Sequence, residues 1–468
     1  MQMGAGLGWG APAPPRSGRF GHPSRPGPAA PGCRPQRAGS LGAPPPPRQV
    51  TEARLAAALP RLNALAAEMQ RRTGVPGLAI VVVHADRVAF LRGYGVRRVG
   101  EPVAVDADTV FQLASLSKPI ASTVVAGLVG DGRVGWDDPV LRTLPAARIG
   151  PPAIAADVTI RDLLAHRSGL PDHADYVYTN FGFTAGAVAA ANRASLHVSE
   201  GGRWVPYYQR DADAQAPAGG VSSSVRDLGQ WLRLQLAGGR LDGRVLVDAA
   251  ALAETHRPQS ISQPPRDPAT DRAGFYGLGW NVSYTDRGTV QLSHSGAFDL
   301  GAATAVYLLP AKSSGIAVLS NGRPPGVPEA LSLSFLDLAT SGAVQRDYLA
   351  ALRPLFQAME QQTYPTVVIP ARPLPARPAG AYTGTYANAY VGPVAVERTP
   401  EGLVLQLGPR LNSFPLTPVS GDVFRYQPAG ENADGPSAVT FTVGADGRAT
   451  AVRIDNLNLE GQGTLQRR

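Results

Sequence analysis

The chain has 468 residues, of which 44% are hydrophobic and 17% are charged, a balance typical of a globular protein rather than of a disordered or fibrous chain. Its formal net charge is +8, but six arginines precede the first acidic residue, Glu52, so the remainder carries only +2. This distribution removes the main argument for nucleic-acid binding by the folded part. The single cysteine, Cys33, excludes an intrachain disulfide and a thiolate metal site.

The first 50 residues are rich in proline, glycine and arginine. They are expected to form a disordered tail, because they cannot bury enough apolar surface to fold. Neither the tail nor any later stretch contains an apolar run of the length that a signal peptide or a membrane span requires, so we expect no membrane span. The cellular compartment stays open, with the cytoplasm as the default expectation.

The folded part begins with regular patterns. Apolar residues at helical spacing over residues 52–72 predict an amphipathic helix, which Gly74 and Pro76 end. Two β-rich runs, residues 78–83 and 88–91, predict a hairpin. Residues 117–128 then show the pattern of a buried helix.

Between residues 138 and 362, short helical patterns alternate with β-rich runs, which predicts an α+β fold. The helical patterns cover residues 160–165, 224–236 and 344–359, and the β-rich runs cover residues 277–282 and 316–319.

The end of the chain has a different character. A proline-rich stretch at residues 364–379 is expected to be an interdomain linker. Alternating segments at residues 403–407, 439–443 and 451–454, with turns between them, predict an antiparallel β-meander. We therefore divide the chain into a tail (1–50), a main domain (51–363), the linker (364–379) and a β-rich domain (380–468).

Ser115 and Lys118 stand three residues apart at the start of the predicted helix over residues 117–128. Lys118 is one of only two lysines, the other being Lys312, in a chain whose remaining cations are arginines that cannot be deprotonated. A lysine kept beside a serine suggests a base, whose pKa would fall from about 10.4 to roughly 7 or 8 at a cost on the order of 4 kcal/mol. The alternative is a solvated lysine on a helix surface.

Two further motifs follow, Tyr178-Thr-Asn180 and His294-Ser-Gly296, the second preceded by Gly277-Leu-Gly-Trp280. Alone, each is weak, because a tyrosine is more often half-buried packing and a histidine before Ser-Gly is more often a turn residue. No His-Glu-x-x-His helix or tight cluster of ligand residues is present, so neither a metal nor an organic cofactor is expected. The missing G-x-S-x-G motif disfavours an α/β-hydrolase.

In this order, S-x-x-K, Y-x-N and H-x-G resemble the serine β-lactamase and penicillin-binding protein superfamily, specifically its class C-like branch of β-lactamases, esterases and D-aminopeptidases. The resemblance spans roughly residues 55–322. It implies an α+β, β-lactamase-like domain, with an antiparallel sheet flanked by helices. The β-rich end of the chain looks like the small lipocalin-like antiparallel β-barrel that some family members append.

The resemblance and the chemistry of the side chains assign catalytic roles. Ser115 is the expected nucleophile, and Lys118 accepts its proton directly or through Tyr178, so that either Lys118 or Tyr178 is the general base. Asn180 is expected to position the substrate carbonyl or the Ser-Lys network, although a helix N-cap is its simpler interpretation.

The third motif is expected to hold the substrate. His294 would face the serine and contact a substrate carboxylate or the Tyr178 hydroxyl. The resemblance places Gly296 and Ala297 at the oxyanion hole, where the Ala297 N–H lies opposite the Ser115 N–H. The expected substrate is a small ester, amide or lactam, including β-lactams and D-amino-acid peptides. The histidine of the third motif favours esterase or peptidase activity.

The chain departs from the family pattern in two places. It is short between Pro171 and Val177, and again after Ala191, so the helical region over the site is predicted to be shortened. A more open cleft would expose Lys118 to water and weaken its pKa shift. The alternative function is therefore that of a catalytically inactive relative that acts as a binding or structural protein.

Overall fold

The computed structural model describes residues 50–145, 156–167, 191–200, 202–208, 216–285, 288–323, 326–360, 367–408, 411–428, 436–458 and 461–468. The predicted tail, apart from Val50, and the predicted shortening between Pro171 and Val177 lie outside these residues.

Eight α-helices lie in the described ranges, and none of them is long and apolar enough to cross a membrane. They are α1 (Glu52–Thr73), α2 (Ser117–Gly130), α3 (Val140–Thr143), α4 (Ile160–Leu164), α5 (Val225–Leu236), α6 (Ala249–Thr255), α7 (Val327–Ser341) and α8 (Tyr348–Glu360).

The strands of the first part of the chain form one large sheet and three small ones. They are β1 (Gly77–His84), β2 (Arg87–Gly95), β3 (Phe111–Gln112), β4 (Leu196–Glu200), β5 (Arg203–Tyr208), β6 (Ser222–Ser223), β7 (Arg240–Leu241), β8 (Arg244–Val245), β9 (Ser260–Gln263), β10 (Gly274–Tyr276), β11 (Asn281–Tyr284), β12 (Val290–Phe298), β13 (Ala302–Leu309) and β14 (Ser314–Ser320). The large sheet is antiparallel, in the order β2-β1-β14-β13-β12-β11-β10-β9.

Helices cover both faces of the large sheet. Helices α1, α7 and α8 contribute Leu62, Phe335 and Leu349 to the apolar cluster on one face. On the other face, Leu228 of α5 packs with Leu116, next to the predicted nucleophile. Strand β1 is buried at every residue because both of its faces are covered. These layers confirm the predicted α+β fold.

The last eight strands close into an antiparallel barrel. They are β15 (Gly384–Asn388), β16 (Gly392–Thr399), β17 (Gly402–Leu407), β18 (Asn412–Ser420), β19 (Val423–Tyr426), β20 (Ser437–Val443), β21 (Ala449–Ile454) and β22 (Thr464–Arg467). Its core contains aromatic rings in tilted and edge-to-face contact, with Phe441 4.8 Å from Tyr382 and 5.6 Å from Phe424 between centroids. The predicted C-terminal barrel is confirmed, and aromatic side chains pack its core.

Two predicted elements were wrong in detail. Residues 277–280 form a turn between β10 and β11 rather than part of a strand, closed by a hydrogen bond from Gly277 N to Trp280 O of 2.7 Å. The helix predicted from residue 344 begins instead at Tyr348, where the Asp347 carboxylate accepts a hydrogen bond from Ala350 N (3.0 Å) and caps the first turn.

Candidate functional site

Ser115 lies in a single 3-10 turn, Ala114–Leu116, between β3 and α2, and is only 6% exposed. The preceding residue, Ala114, has a φ of 50°, a left-handed conformation that costs a residue with a side chain on the order of 1–3 kcal/mol. The Ser117 hydroxyl holds this turn by donating to Ala114 O (2.7 Å) and accepting from Val221 N (3.0 Å). The backbone at the candidate nucleophile is therefore strained and fixed.

Lys118 points back at the serine from the first turn of α2. Its Nζ donates to Ser115 Oγ at 3.0 Å and to the carbonyl of Ala218 at 3.3 Å. Ala218 belongs to a single π-helical turn, Ala216–Gly220, which is the Pro-Ala-Gly-Gly segment of the sequence. The structure thus brings together the predicted serine and lysine, and a backbone carbonyl fixes the amine.

The Gly-Leu-Gly-Trp turn supports the helix that carries the lysine. Gly279 has a φ of +78°, and a Cβ at this position would lie 2.8 Å from Lys118 O, so glycine is required both by conformation and by space. The next residue, Trp280, is fully buried and stacks on Trp231 of α5, with ring centroids 5.5 Å apart. The turn therefore anchors α2 at Lys118.

Strand β12 runs against the nucleophile turn. A Cβ on Gly296 would lie 2.3 Å from Leu113 O and 2.9 Å from Ser115 N, so only glycine allows this approach. On β13, opposite Gly296, the Thr304 hydroxyl donates to Leu113 O at 2.7 Å and ties the two segments together. Ser115, Gly296 and the adjacent Ala297 are thereby brought to one place.

The edge of β12 is open beside this contact. In the described residues, the pairing of β11 with β12 ends at Asn281 and Ser293, whereas β12 continues to Phe298. Beyond Ser293, β12 therefore pairs only with β13 among these strands. Backbone groups that point to the open edge are available for a ligand.

His294 is 2% exposed, and both of its ring nitrogens have protein partners. Its Nδ1 lies 2.7 Å from the carbonyl of Ser295, and its Nε2 lies 3.0 Å from the Tyr276 hydroxyl. Because a carbonyl can only accept, Nδ1 carries the proton and donates, and Nε2 accepts from the tyrosine. Burial, and then the charge of Lys118, lower the pKa of His294 to about 3, so the ring is neutral at physiological pH.

Acid is expected to destabilise the fold through this histidine. Unfolding frees the imidazole to bind a proton below its ordinary pKa near 6.5, so the unfolding free energy falls as the pH falls from about 6.5 toward 3. Between pH 7 and pH 5 the loss from His294 is about 2 kcal/mol. Urea denaturation at both pH values should show a smaller loss in His294→Gln than in the wild type. Equal losses would contradict this burial.

Two predicted residues, Tyr178 and Asn180, lie outside the described residues, so their roles stay predictions. The sequence reasoning missed three groups that hold the site: the Tyr276 hydroxyl, the Thr304 hydroxyl and the Ala218 carbonyl. Tyr276 precedes the recognised Gly277-Leu-Gly-Trp280 motif, Ala218 lies in a Pro-Ala-Gly-Gly segment, and nothing in the sequence marks Thr304.

The described residues contain no group of three or more His, Cys, Asp or Glu side chains arranged to hold a metal ion. What the described site offers is a serine hydroxyl, an amine in contact with it, and backbone N–H groups beside both. This combination suits acyl transfer to a nucleophilic serine.

Comparisons with known proteins agree with this chemistry. The model of the beta-lactamase family matches residues 62–204 and 177–340, and a model described as a domain of unknown function (DUF3471) matches residues 369–467. The two beta-lactamase segments overlap close to the places where the sequence appeared shortened.

Two curated relatives and one solved structure show the range of similarity. The unguisins hydrolase of Aspergillus violaceofuscus is 23% identical over 67% of this chain and 72% of its own length. Esterase EstB of Burkholderia gladioli is 35% identical over 27% of this chain and 33% of its own length. A penicillin-binding protein homologue from Pyrococcus abyssi superposes with a TM-score of 0.50 at 17% identity, covering 85% of this chain and 98% of the homologue.

The structural similarity supports the fold, and the names of the relatives support a function of the serine hydrolase type. The family match spans more than half of the chain and includes the Ser115, Lys118 and His294 motifs. The chain therefore belongs to the beta-lactamase family, within the superfamily of serine β-lactamases and penicillin-binding proteins.

Proposed function

We propose that the protein is a serine hydrolase that forms an acyl-enzyme on Ser115, with Lys118 as the base. The observation that carries this proposal is the 3.0 Å contact between Lys118 Nζ and Ser115 Oγ, in a turn whose backbone N–H lies against Gly296. An arginine at position 118 could not take a proton, whereas a neutral lysine amine can.

Each residue performs one part of the reaction. The neutral Lys118 amine accepts the hydroxyl proton as Ser115 Oγ attacks the carbonyl carbon of the substrate. The N–H groups of Ser115 and Ala297 bind the oxygen that becomes negative in the tetrahedral intermediate. When the bond to the leaving group breaks, Lys118 returns the proton to that group. Water then attacks the acyl-enzyme through the same steps and releases the acid and free Ser115.

His294, in the third motif, favours substrates that have no carboxylate. A neutral ring whose nitrogens already pair with Ser295 O and the Tyr276 hydroxyl offers no positive charge and no free donor to a substrate anion. We therefore propose that the preferred substrates are uncharged esters, rather than β-lactams or peptides that are held by a carboxylate. One relative with 35% identity over part of the chain is named an esterase, which supports this class.

Intact-mass spectrometry tests the proposal on the full chain. We expect one fluorophosphonate adduct per wild-type chain and none on Ser115→Ala, because the reagent is uncharged and needs an activated serine. A penicillin, which carries a carboxylate, should acylate at least tenfold more slowly, since tenfold corresponds to about 1.4 kcal/mol of binding at the transition state.

Either of two results would change the proposal. A penicillin adduct that forms as fast as the fluorophosphonate adduct would remove the preference for uncharged substrates. No adduct on a folded wild-type chain would favour the alternative of an inactive relative with a binding role. Thermal unfolding of both proteins establishes that Ser115→Ala is folded.

A further inference from the structure

A buried glutamate lies behind the third motif, on the face of the sheet opposite the serine. Glu329 is in the first turn of α7 and is only 4% exposed. Among the described residues, no donor meets hydrogen-bond geometry with either of its carboxyl oxygens. A buried carboxyl without such a partner is costly to a fold, and such groups concentrate at functional sites.

The polar neighbours of Glu329 lie on two strands of the large sheet. Ser295 of β12 is close enough for its hydroxyl to lower the pKa of the carboxyl, although it is not aligned as a hydrogen bond. Tyr307 of β13 also interacts with it, and Tyr307 is in turn coupled to Tyr348 of α8, which donates to Asp337 at 2.9 Å. Burial raises the pKa of both tyrosines, so they stay neutral between pH 6 and pH 9.

Burial dominates the electrostatics of the carboxyl. It raises the pKa of Glu329 to about 7, against smaller lowering effects from its own backbone N–H and from the Ser295 hydroxyl. The carboxyl therefore changes charge near neutral pH. The pKa of Glu329 is higher in the folded than in the unfolded state. The unfolding free energy therefore decreases as the pH rises from about 4.5 to about 7.

Ser295 connects this carboxyl to the site. Successive side chains of a strand point to opposite faces, so Ser295 faces α7 while His294 and Gly296 face the nucleophile. The carbonyl of the same residue accepts the hydrogen bond from His294 Nδ1 (2.7 Å). A movement of Ser295 toward or away from Glu329 therefore moves the segment that contains Gly296 and Ala297.

We propose that Glu329 is a positioning residue of the acyl-transfer site, which acts through Ser295 on the third-motif strand β12 and so on the Ala297 N–H. The inference rests on the proposed function, because it assigns β12 a role in acylation. The neutral acid packs against Ser295 and keeps the strand in place. The carboxylate, which the Ser295 hydroxyl favours, draws that hydroxyl toward itself and so displaces the strand.

The test compares the wild type with Glu329→Gln, which keeps the shape of the neutral acid but cannot ionise. Fluorophosphonate acylation of both proteins is measured from pH 6 to pH 9, and the ratio of their rates cancels any pH dependence that the two proteins share. We expect equal rates at pH 6 and a wild-type rate lower by about threefold to tenfold at pH 9. Glu68→Gln, on the exposed face of α1, should follow the wild type at every pH.

Backbone amide exchange of residues 290–298, measured at the same pH values on the unlabelled proteins, provides a readout without activity. We expect faster exchange in the wild type than in Glu329→Gln only above pH 7. Where the adduct forms, a rate ratio that does not change with pH would overturn the inference. If Glu329→Gln does not fold, Ser295→Ala replaces it, because it removes the same contact.

The two proposals fail in different ways. A wild type that forms no Ser115 adduct at any pH defeats the proposed function, and amide exchange then decides alone whether Glu329 controls β12. A wild type that forms the adduct, with a rate ratio that does not change with pH, defeats only the role of Glu329.

Discussion

Arginine in place of Lys118 is expected to abolish acylation of Ser115 and to leave the fold intact. The guanidinium keeps the approximate length of the side chain and its N–H donors, but it cannot accept the Ser115 proton. Loss of a positioned general base lowers acylation by about 100-fold to 10,000-fold. Intact-mass kinetics with a fluorophosphonate measure the rate, and thermal unfolding measures the fold.

The chain supplies a matched control for this change. Lys312 is the only other lysine, and it lies in the turn after β13, at the end of that strand far from Thr304. Lys312→Arg should therefore acylate at the wild-type rate, whatever it does to stability. Acylation that survives Lys118→Arg would remove the lysine from the mechanism and give the role of base to Tyr178.

The alternating helical and β-rich patterns and the order of the motifs were enough to predict the fold class and the Ser115–Lys118 contact. The spacing of three residues at the start of a helix places both side chains on one face, which is a local property of the chain. The resemblance predicted the barrel, and the alternating runs predicted its antiparallel strands. Both were possible because strands that pair in the barrel also follow one another in the sequence. Elements that contact segments close to them in the sequence were therefore predictable.

The arrangement of the third motif could not be predicted in the same way. His294 pairs with Tyr276, 18 residues earlier, through a contact that depends on the register of β10, β11 and β12. The expected contact between His294 and a substrate carboxylate assumed free nitrogens, and only the three-dimensional packing shows that both have protein partners. Residues 277–282 were misread as one strand because glycines in a tight turn and in a strand interior look alike in sequence.

Glu329 was invisible to sequence reasoning for a related reason. A glutamate in the first turn of a helix is the usual solvent-exposed complement of the helix dipole. Only the packing of α7 against β13 and β14 buries it. Burial of a charge depends on which surfaces meet, and that is decided by contacts between residues far apart in the chain.

Alanine in place of Gly296 is expected to lower both stability and acylation. The new Cβ would lie 2.3 Å from Leu113 O and 2.9 Å from Ser115 N, both of them backbone atoms, so β12 must move away from the nucleophile turn. Overpacking of this kind costs about 1–3 kcal/mol. The movement also displaces the Ala297 N–H, and loss of one oxyanion-hole donor lowers the rate by about 100-fold to 1,000-fold.

Gly127→Ala is the matched control, because a Cβ on Gly127 of α2 meets nothing within 4 Å. Alanine in a helix interior stabilises by about 0.5–1 kcal/mol relative to glycine, so this variant should be slightly more stable and should acylate at the wild-type rate. Urea denaturation and fluorophosphonate kinetics on the two variants separate the effects. If Gly296→Ala lost stability but kept the wild-type acylation rate, the close approach of β12 to Ser115 would serve the fold alone. If both quantities fell while Gly127→Ala kept its rate, the same close approach would also serve the reaction, since the Ser115 and Ala297 N–H groups must converge on one oxygen.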